Sequence, residues 1–449
     1  MKITHSLIFV ILGLCTLIIG AFAGILLSLV YMNPAFFKEL IPFNQLRPLH
    51  TTSVVSWIIL TATGGIYYYL TKVEKIKLYS SFLSKTHLYL FFLTGLGIYY
   101  SFLSGKMGGR EYLEFFPLLT LPILIGWALF GFNYFASLLK KIYDWPVYFW
   151  MWGTGIVFMI YHLSEAHFWI FNSIREDFIK DLTIQWKSYG SFVGSWNLLV
   201  YGTAIYIMSK IKNNIDLAKG KKVFFFFFLG LANLMFGWAH HTYLVPSLPW
   251  IRYVAYGISM TEWIVLINII YCWSKSLTLE NKKENSLTYK FLISSEFWVF
   301  LNLILALLIS IPSINYYTHG THITVAHSMG TTIGINSMIL FASVSFILRN
   351  IEEKTSLVRK KYILFGYYLL NISLFIFWIT LIVSGILKAV LTSEILNKNF
   401  QSIEASLNTS FIVFFFSGLF LFLGILVIAL PMIDSLSYYC FSKKKKEPV

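Results

Sequence analysis

Residues 315–336 read NYYTHGTHITVAHSMGTTIGIN, and three of the ten histidines, His319, His322 and His327, lie in this stretch at the mouth of an apolar segment. Imidazole is costly inside a bilayer and is usually functional there. Neutral imidazole is also a common ligand of haem iron and of transition metals. The stretch therefore predicts a membrane helix that carries metal-binding side chains at one end.

The composition of the chain is that of an integral membrane protein. Of its 449 residues 57% are hydrophobic and only 12% are charged, and the mean hydropathy is +0.70. Soluble domains carry about 25% charged residues. The apolar segments are runs of roughly 20 residues, the length of a membrane-spanning helix. We expect one all-α transmembrane domain over residues 1–449.

Twelve apolar runs predict twelve transmembrane helices, with both termini on one side of the membrane. The predicted spans are residues 6–32, 52–71, 86–104, 115–138, 146–172, 188–209, 223–244, 251–274, 289–312, 320–348, 362–387 and 407–439. With this count, one side of the membrane collects 25 of the 35 lysine and arginine residues, leaving 10 for the other. The positive-inside rule then predicts cytoplasmic termini in a bacterial inner membrane. The formal charge of +15 is thus explained by topology, and we expect membrane lipid as a partner and no nucleic acid.

The cysteines exclude several kinds of site. Cys15, Cys272 and Cys440 are scattered, with no CxxC or CxxCH spacing. This pattern argues against a disulfide framework, an iron–sulfur cluster or a covalently attached c-type haem in the chain.

Four histidines from three predicted spans share the outer third of the membrane: His50, His240, His241 and His327. A single histidine on an apolar helix, such as His87, is more often a core residue. Adjacent His240 and His241 are about 100° apart on an α-helix, close enough to bind one metal. Such a set predicts two haems and a non-haem metal.

One predicted helix presents ligands on two sides. His327 and Met329 are two residues apart, which is roughly 200° on an α-helix. One helix can therefore offer an axial ligand to each of two flat cofactors, with His50 as the second axial ligand of one of them.

The order HTT (residues 50–52), HH (240–241) and THGTHITVAH (318–327) resembles the haem–copper oxidase superfamily, most closely the large catalytic subunit of bacterial nitric oxide reductases. The resemblance implies the subunit I fold of twelve helices. It also implies that His327 binds a high-spin haem b and that His50 binds a low-spin haem b. By the same resemblance, His240 and His241 bind a non-haem iron.

Two further matches concern carboxylates. The stretch GGREYLEFF is similar to the outer loop of the family, which implies that Glu111 and Glu114 help to hold a calcium ion. Hard carboxylate oxygens suit that ion. Glu262 lies 21 residues after His241, where the family has an acidic residue near its active site.

The sequence departs from the family at the residue two positions after His327, where the family has a second histidine and this chain has Met329. A methionine thioether can ligate haem iron, and His/Met ligation raises the reduction potential. We expect His50/Met329 ligation of the low-spin haem. The alternatives are a different ligand, such as His322, or Met329 as a packing residue.

The second departure is in the sixth predicted span, where the family supplies a third histidine and, four residues later, a glutamate to the non-haem iron. Tyr189 and Val193 stand at these positions, and Asn197 replaces the next family glutamate. Tyr189 is either a phenolate ligand with a catalytic role or an aromatic packing residue. His162 and Glu165, in the fifth predicted span, are alternative ligands. The third metal ligand stays open.

By resemblance the predicted activity is the reduction of NO to N2O, a small gaseous substrate. A second hypothesis is altered chemistry, either NO dismutation or O2 reduction, although the chain lacks the H-P-E-V-Y stretch of copper-type oxidases. A third is a haem protein for electron transfer or sensing without the non-haem metal. The expected partner is a c-type cytochrome subunit at the outer loop 105–115, with quinol as the other electron donor.

Overall fold

The computed structural model describes residues 5–33, 35–36, 38–246, 248–259, 261–351, 357–393, 396 and 398–441. Within these residues all the regular secondary structure is helical, and there is no β-strand. The α-helices of the first half are α1 (His5–Met32), α2 (Phe43–Tyr68), α3 (Ser81–Leu103), α4 (Thr120–Leu138), α5 (Val147–Glu165), α6 (Asn172–Arg175), α7 (Phe178–Lys212), α8 (Asp216–Lys219) and α9 (Lys221–Phe236). Those of the second half are α10 (Pro249–Ile258), α11 (Thr261–Ser276), α12 (Leu279–Glu284), α13 (Ser286–Ser310), α14 (Pro312–Thr318), α15 (His322–Met329), α16 (Met338–Ile351), α17 (Leu357–Thr392) and α18 (Phe400–Phe441).

Ten helical segments of the described chain are long and apolar enough to cross a membrane. They coincide with ten of the predicted spans, which confirms a helical multi-pass protein. Helices α5 and α7 are not among the ten, although they coincide with the fifth and sixth predicted spans. The count of twelve spans and the cytoplasmic position of the termini therefore stay predictions.

The fifth predicted span, residues 146–172, is too long. Helix α5 ends at Glu165, and the backbone then tightens into i→i+3 hydrogen bonds, with His167 N donating to Ser164 O at 3.1 Å. The His167 ring reinforces this bend because its Nδ1 donates to the Leu163 carbonyl at 2.9 Å. The sequence stays largely apolar past Glu165, so its composition did not indicate where the helix ends.

The helix of the opening stretch changes its winding in the middle. Helix α15 ends at Met329, residues Gly330–Ser337 form a π-helix, and α16 continues to Ile351. Trp57 Nε1 donates to Ser337 Oγ at 2.9 Å and thereby ties the π-helix to α2. Because a π-helix turns less per residue than an α-helix, positions after Met329 face directions that α-helical spacing does not predict.

The two ends of the chain pack together, since α1 lies against both α2 and α18. A GxxxG pair, Gly20 and Gly24, brings α1 close to α2. A Cβ built on Gly20 would lie 3.0 Å from Ser53 Cβ, so the two backbones approach closely at this point. Small residues at a four-residue spacing are the usual means of close helix approach in membranes. This contact positions His50, which lies one turn before Ser53.

Candidate haem and metal centre

A cavity of about 510 Å³ lies between α1, α2, α7 and α15. Its lining includes His50, His240, His241, His327 and Met329, so the structure brings all five predicted ligands to one space. Apolar and aromatic side chains make up most of the remaining wall, and no Asp, Glu, Lys or Arg is among the described residues that line it. A large apolar space edged by a few imidazole and thioether groups suits flat, apolar cofactors held by axial ligands.

His50 is held in one orientation by α1. Its Nδ1 lies 2.7 Å from the Gly20 carbonyl oxygen. Because a carbonyl only accepts, Nδ1 carries the proton and Nε2 keeps the lone pair that a metal requires. Gly24 leaves the space that the ring occupies, since a Cβ built on it would lie 2.9 Å from His50 Cε1. Gly20 and Gly24 of α1 therefore orient the His50 ring, a candidate ligand on α2.

His327 and Met329 lie in the last turn of α15, and both line the cavity. The His327 carbonyl accepts hydrogen bonds from Asn302 Nδ2 and from Thr331 Oγ1, both at 3.0 Å. The His327 ring lies 6.1 Å from the Trp263 ring, and its Nδ1 has no hydrogen-bond partner among the described residues. The backbone of this candidate ligand is therefore held in place, and among the described residues its buried Nδ1 has no partner.

His240 and His241 do not lie on an α-helix, contrary to the prediction. They belong to the 3₁₀ segment Gly237–Thr242, which continues α9, and adjacent positions there are about 120° apart. Their ring centroids are nevertheless only 4.1 Å apart. Trp186 stacks on the His241 ring at 5.7 Å and 16°, and Ser259 Oγ lies 3.3 Å from His240 Nδ1. The pair is therefore oriented by residues from other parts of the chain.

The face of α7 that lines the cavity with His240 and His241 carries the residues that differ from the family pattern. Tyr189, Val193 and Asn197 all line the cavity at a four-residue spacing. Next to Tyr189, Gly190 approaches the segment that carries His240 and His241, since a Cβ built on this glycine would lie 3.4 Å from His241 Cδ2. Among the described residues, no group of three His, Cys, Asp or Glu side chains lies close enough to hold a metal. Among the described residues, no third imidazole or carboxylate thus completes a metal site with this pair.

The alternative ligands His162 and Glu165 form a cluster of their own. His162 Nδ1 lies 3.1 Å from Glu165 Oε2, and Glu165 Oε1 forms an ion pair with Lys187 Nζ. Neither residue is among those that line the cavity. The structure therefore places these two groups in a cluster with Lys187 and not beside His240 and His241.

Glu262 is buried on α11, with 2% of its surface exposed. Its Oε1 accepts a hydrogen bond from Asn233 Nδ2 at 2.8 Å, whereas its Oε2 has no partner among the described residues. Asn233 is part of the cavity wall. A single hydrogen bond to the Asn233 side-chain amide therefore connects the Glu262 carboxyl group with the cavity wall.

The predicted calcium residues, Glu111 and Glu114, are paired with a cation of the chain itself. Arg47 Nη2 donates to Glu111 Oε1 and to Glu114 Oε1, each at 3.0 Å. Between the two glutamates, Tyr112 adopts a positive φ of 66° and lines the cavity. Burial raises the pKa of the Tyr112 hydroxyl, and the nearby Glu111 carboxylate raises it further, so the phenol is neutral.

Over residues 4–420 the sequence matches the family described as Cytochrome C and Quinol oxidase polypeptide I. The chain belongs to this family, the haem–copper oxidase subunit I family. Members of the family are multi-pass membrane oxidoreductases that bind haems and a further metal.

Two relatives show how far the likeness extends within this haem–copper oxidase subunit I family. The B subunit of nitric oxide reductase from Stutzerimonas stutzeri is 20% identical over 427 residues, which cover 90% of this chain and 88% of that protein. One chain of a haem–copper terminal oxidase dimer, solved by cryo-electron microscopy, matches 96% of this chain with a TM-score of 0.77 at 15% identity. The match covers 83% of that chain. The structural match shows the fold.

Sequence reasoning missed the residues that orient the ligands. Gly20, Asn302, Trp186 and Ser259 each contact or fix a candidate ligand from a different part of the chain. Only the GxxxG spacing of Gly20 and Gly24 carried a signal, because it marks a close helix contact. The others are ordinary polar or aromatic residues whose partners lie far away in the sequence.

Proposed function

We propose that this chain is the catalytic subunit of a nitric oxide reductase-like enzyme of the bacterial inner membrane, reducing NO to N2O. The observation that carries the proposal is the shared cavity, to which two helices and the 3₁₀ segment bring His50, His240, His241, His327 and Met329. The likeness to the nitric oxide reductase of Stutzerimonas stutzeri over most of the chain supports it.

In this proposal His50 and Met329 hold a low-spin haem b, His327 holds a high-spin haem b, and His240 and His241 hold a non-haem iron. When bound by these residues, the haem and the iron would supply the two electrons that, with two protons, convert two NO to N2O and water. The chain's own residues orient the ligands. The hydrogen bond from His50 to Gly20 fixes the tautomer, and the stack of Trp186 on His241 fixes that ring.

Glu262 is the proposed proton carrier. A buried carboxyl group reached through a single amide can pass a proton to the cavity by a small rotation. Its hydrogen bond with Asn233 points the group toward the cavity wall. Tyr189 is proposed as the polar group at the cavity on the α7 side, where its ring meets that of Tyr112 edge-on at 5.6 Å. The apolar walls exclude water from this space.

The proposed partner is a c-type cytochrome subunit that supplies electrons at the outer loop 105–115, with quinol as the other donor. The relative in Stutzerimonas stutzeri is named as one subunit of its enzyme, which supports an assembly of more than one subunit. The loop forms one end of the cavity through Tyr112, Leu113 and Phe115, so it lies next to the proposed haems.

The test is an anaerobic analysis of the purified protein for haem, iron and other metals, followed by NO consumption with a chemical reductant. We expect two haems and one non-haem iron per chain, with one N2O formed for every two NO. The variant His241→Ala should keep both haems but lose the non-haem metal and N2O formation. Ser274→Ala, a substitution on α11 outside the cavity lining, is the matched control.

A second function is favoured by one observation, the lack of a third His, Cys, Asp or Glu beside His240 and His241 in the described part of the chain. Two imidazoles alone are a poor metal site compared with the three or four ligands of typical sites. The alternative is a haem protein for electron transfer or sensing. Two haems, no third metal and no N2O in the experiment above would establish it instead.

A further inference from the structure

The outer loop, residues 105–115, lies at one end of the cavity and has a tightly folded backbone. It begins after α3 and ends before the 3₁₀ turn Pro117–Leu119, and Gly108 N and Gly109 N both donate to the Glu114 carbonyl, at 3.1 and 3.3 Å. Gly109 has no room for a side chain, because a Cβ there would lie 1.8 Å from the Leu113 carbonyl oxygen. The loop is thus wound tightly on itself and holds a fixed shape.

Two arginines fasten this loop to the helices. Arg47, on α2, bonds both Glu111 and Glu114. Arg110, within the loop, reaches Asp181 of α7 at 2.5 Å and lies over the Trp169 ring. The first connection matters most for the cavity, because Arg47 lies three residues before His50 and therefore on the same side of α2.

We infer that the guanidinium of Arg47 takes the place of a calcium ion in this chain and fastens the outer loop to the helix that carries His50. The two hydrogens of Nη2 are each given to one carboxylate, so one nitrogen bridges Glu111 and Glu114 as a bound cation would. Arg47 is a positioning residue in this proposal, and the inference does not depend on which gas the enzyme reduces.

The geometry around the carboxylates disfavours calcium. Calcium takes six to eight oxygen ligands. One oxygen of each glutamate already accepts from Arg47, so the pair offers only two further carboxylate oxygens to an ion. A divalent cation bound to the same pair would also lie beside a fixed positive charge. The predicted calcium residues therefore fit a guanidinium better than they fit the ion.

The ion pairs of Arg47 with Glu111 and Glu114 hold in place a part of the loop that forms the cavity wall. Tyr112 and Leu113, between the two glutamates, line the cavity. A loop that moved away from α2 would withdraw these side chains and open the cavity beside His50 to water. Unlike a bound ion, a covalently attached cation cannot be lost to a chelator or to low calcium.

The first test uses the wild-type protein in detergent and needs no variant. Calcium is measured by mass spectrometry after dialysis against EGTA, and thermal unfolding is followed with EGTA or with added calcium. We expect no stoichiometric calcium and a Tm that is the same in both conditions. One tightly held calcium per chain, or a Tm that falls with EGTA, would overturn the proposal.

The second test uses Arg47→Gln, which frees both carboxylates. We expect a lower Tm than wild type in EGTA, partial recovery of the Tm by calcium, and a loss of low-spin haem as the loop loosens beside His50. Lys106→Gln is the matched control, because the side chain of this loop lysine lies over the Tyr100 ring and away from the two glutamates, and it should leave all three readouts unchanged. An R47Q protein with wild-type Tm and no response to calcium would contradict the proposed role. If R47Q does not fold, Glu111→Gln removes the charge from one of the two bonds to Arg47, and its Tm should fall without becoming sensitive to EGTA.

Discussion

The glycine beside His50 gives a direct test of the haem assignment, through the substitution Gly24→Ala. The new methyl carbon would lie 2.9 Å from His50 Cε1 and 3.0 Å from Nδ1, which is closer than real Cβ atoms come to such neighbours. Overpacking of this kind costs about 1–3 kcal/mol. Without haem, only the hydrogen bond to Gly20 opposes rotation of the ring away from the methyl group. With haem bound the ring is held, so the strain appears as weaker haem binding.

The hydrogen bond to Gly20 sets the other possible cost. If the bound His50 ring shifts to avoid the methyl group, the 2.7 Å bond from Nδ1 is lost, at a net of about 0.5–1.5 kcal/mol. The ring therefore either bears the strain or gives up the bond, so the cost is about 0.5–3 kcal/mol. At about 1.4 kcal/mol per tenfold change, low-spin haem should bind roughly 2- to 150-fold more weakly.

The assay is the haem-to-protein ratio after purification, together with the low-spin signal in the oxidised spectrum and the rate of haem loss to an apo-protein acceptor. Gly230→Ala is the control, because a Cβ at this position in α9 makes only ordinary contact, at 3.8 Å from Leu198 Cδ2. It should keep both haems and be as stable as wild type or slightly more so. A Gly24→Ala protein that retains wild-type low-spin haem would refute His50 as its ligand.

Three further substitutions test separate parts of the site. Met329→Leu should abolish the near-infrared charge-transfer band of a His/Met haem while the high-spin haem on His327 remains, and an unchanged band would exclude Met329 as a ligand. Glu165→Gln should lower the free energy of unfolding by about 1.5–3 kcal/mol, because Lys187 loses a charged partner, with metal content equal to wild type; metal loss would instead make Glu165 a ligand. Asn302→Leu should lower it by about 0.5–1.5 kcal/mol, measured by chemical denaturation, because the His327 carbonyl loses one of its two side-chain donors; unchanged stability would count against that contact.

The fold was predictable because apolar runs report the lipid-facing part of each helix, but the helix ends were not. Helix α2 begins at Phe43, whereas the predicted span starts at residue 52, because hydrogen bonding continues through the polar turn that precedes the membrane. Helix α7 likewise begins at Phe178, ten residues before its predicted span. Hydropathy reports which residues favour lipid over water. It does not report where backbone hydrogen bonding begins, so a helix can extend beyond the apolar run.

The candidate site shows a similar division. The grouping of His50, His240, His241 and His327 around one cavity was predictable from the positions of the histidines, because few side chains can serve haem or metal inside a membrane. The 3₁₀ winding at His240 and the π-helix after Met329 did not follow, since both depend on contacts with other helices. The engagement of Glu111 by Arg47 was equally hidden, because the partners are 64 residues apart in the sequence.

The charge of the cavity decides how firmly a non-haem metal can be held. No carboxylate, lysine or arginine is among the described residues that line it. The nearby Glu262 carboxyl group accepts a hydrogen bond from Asn233. A metal dication bound by His240 and His241 would therefore receive no negative charge from the described cavity wall. In surroundings of low dielectric, such uncompensated charge is unfavourable. Any metal in this site should be more readily lost than one that also has a carboxylate ligand.

Val193→Glu tests this reasoning directly, because Val193 lines the cavity at the position where the family resemblance implies a glutamate ligand. The variant should retain more non-haem metal per chain than wild type after dialysis against a chelator, with unchanged haem content. Without metal it should be less stable than wild type, since a buried carboxylate then lacks a partner. Val193→Gln has a side chain of the same length without the charge and should gain no metal. Equal metal retention in the glutamate and glutamine variants would show that charge is not what limits metal binding at His240 and His241.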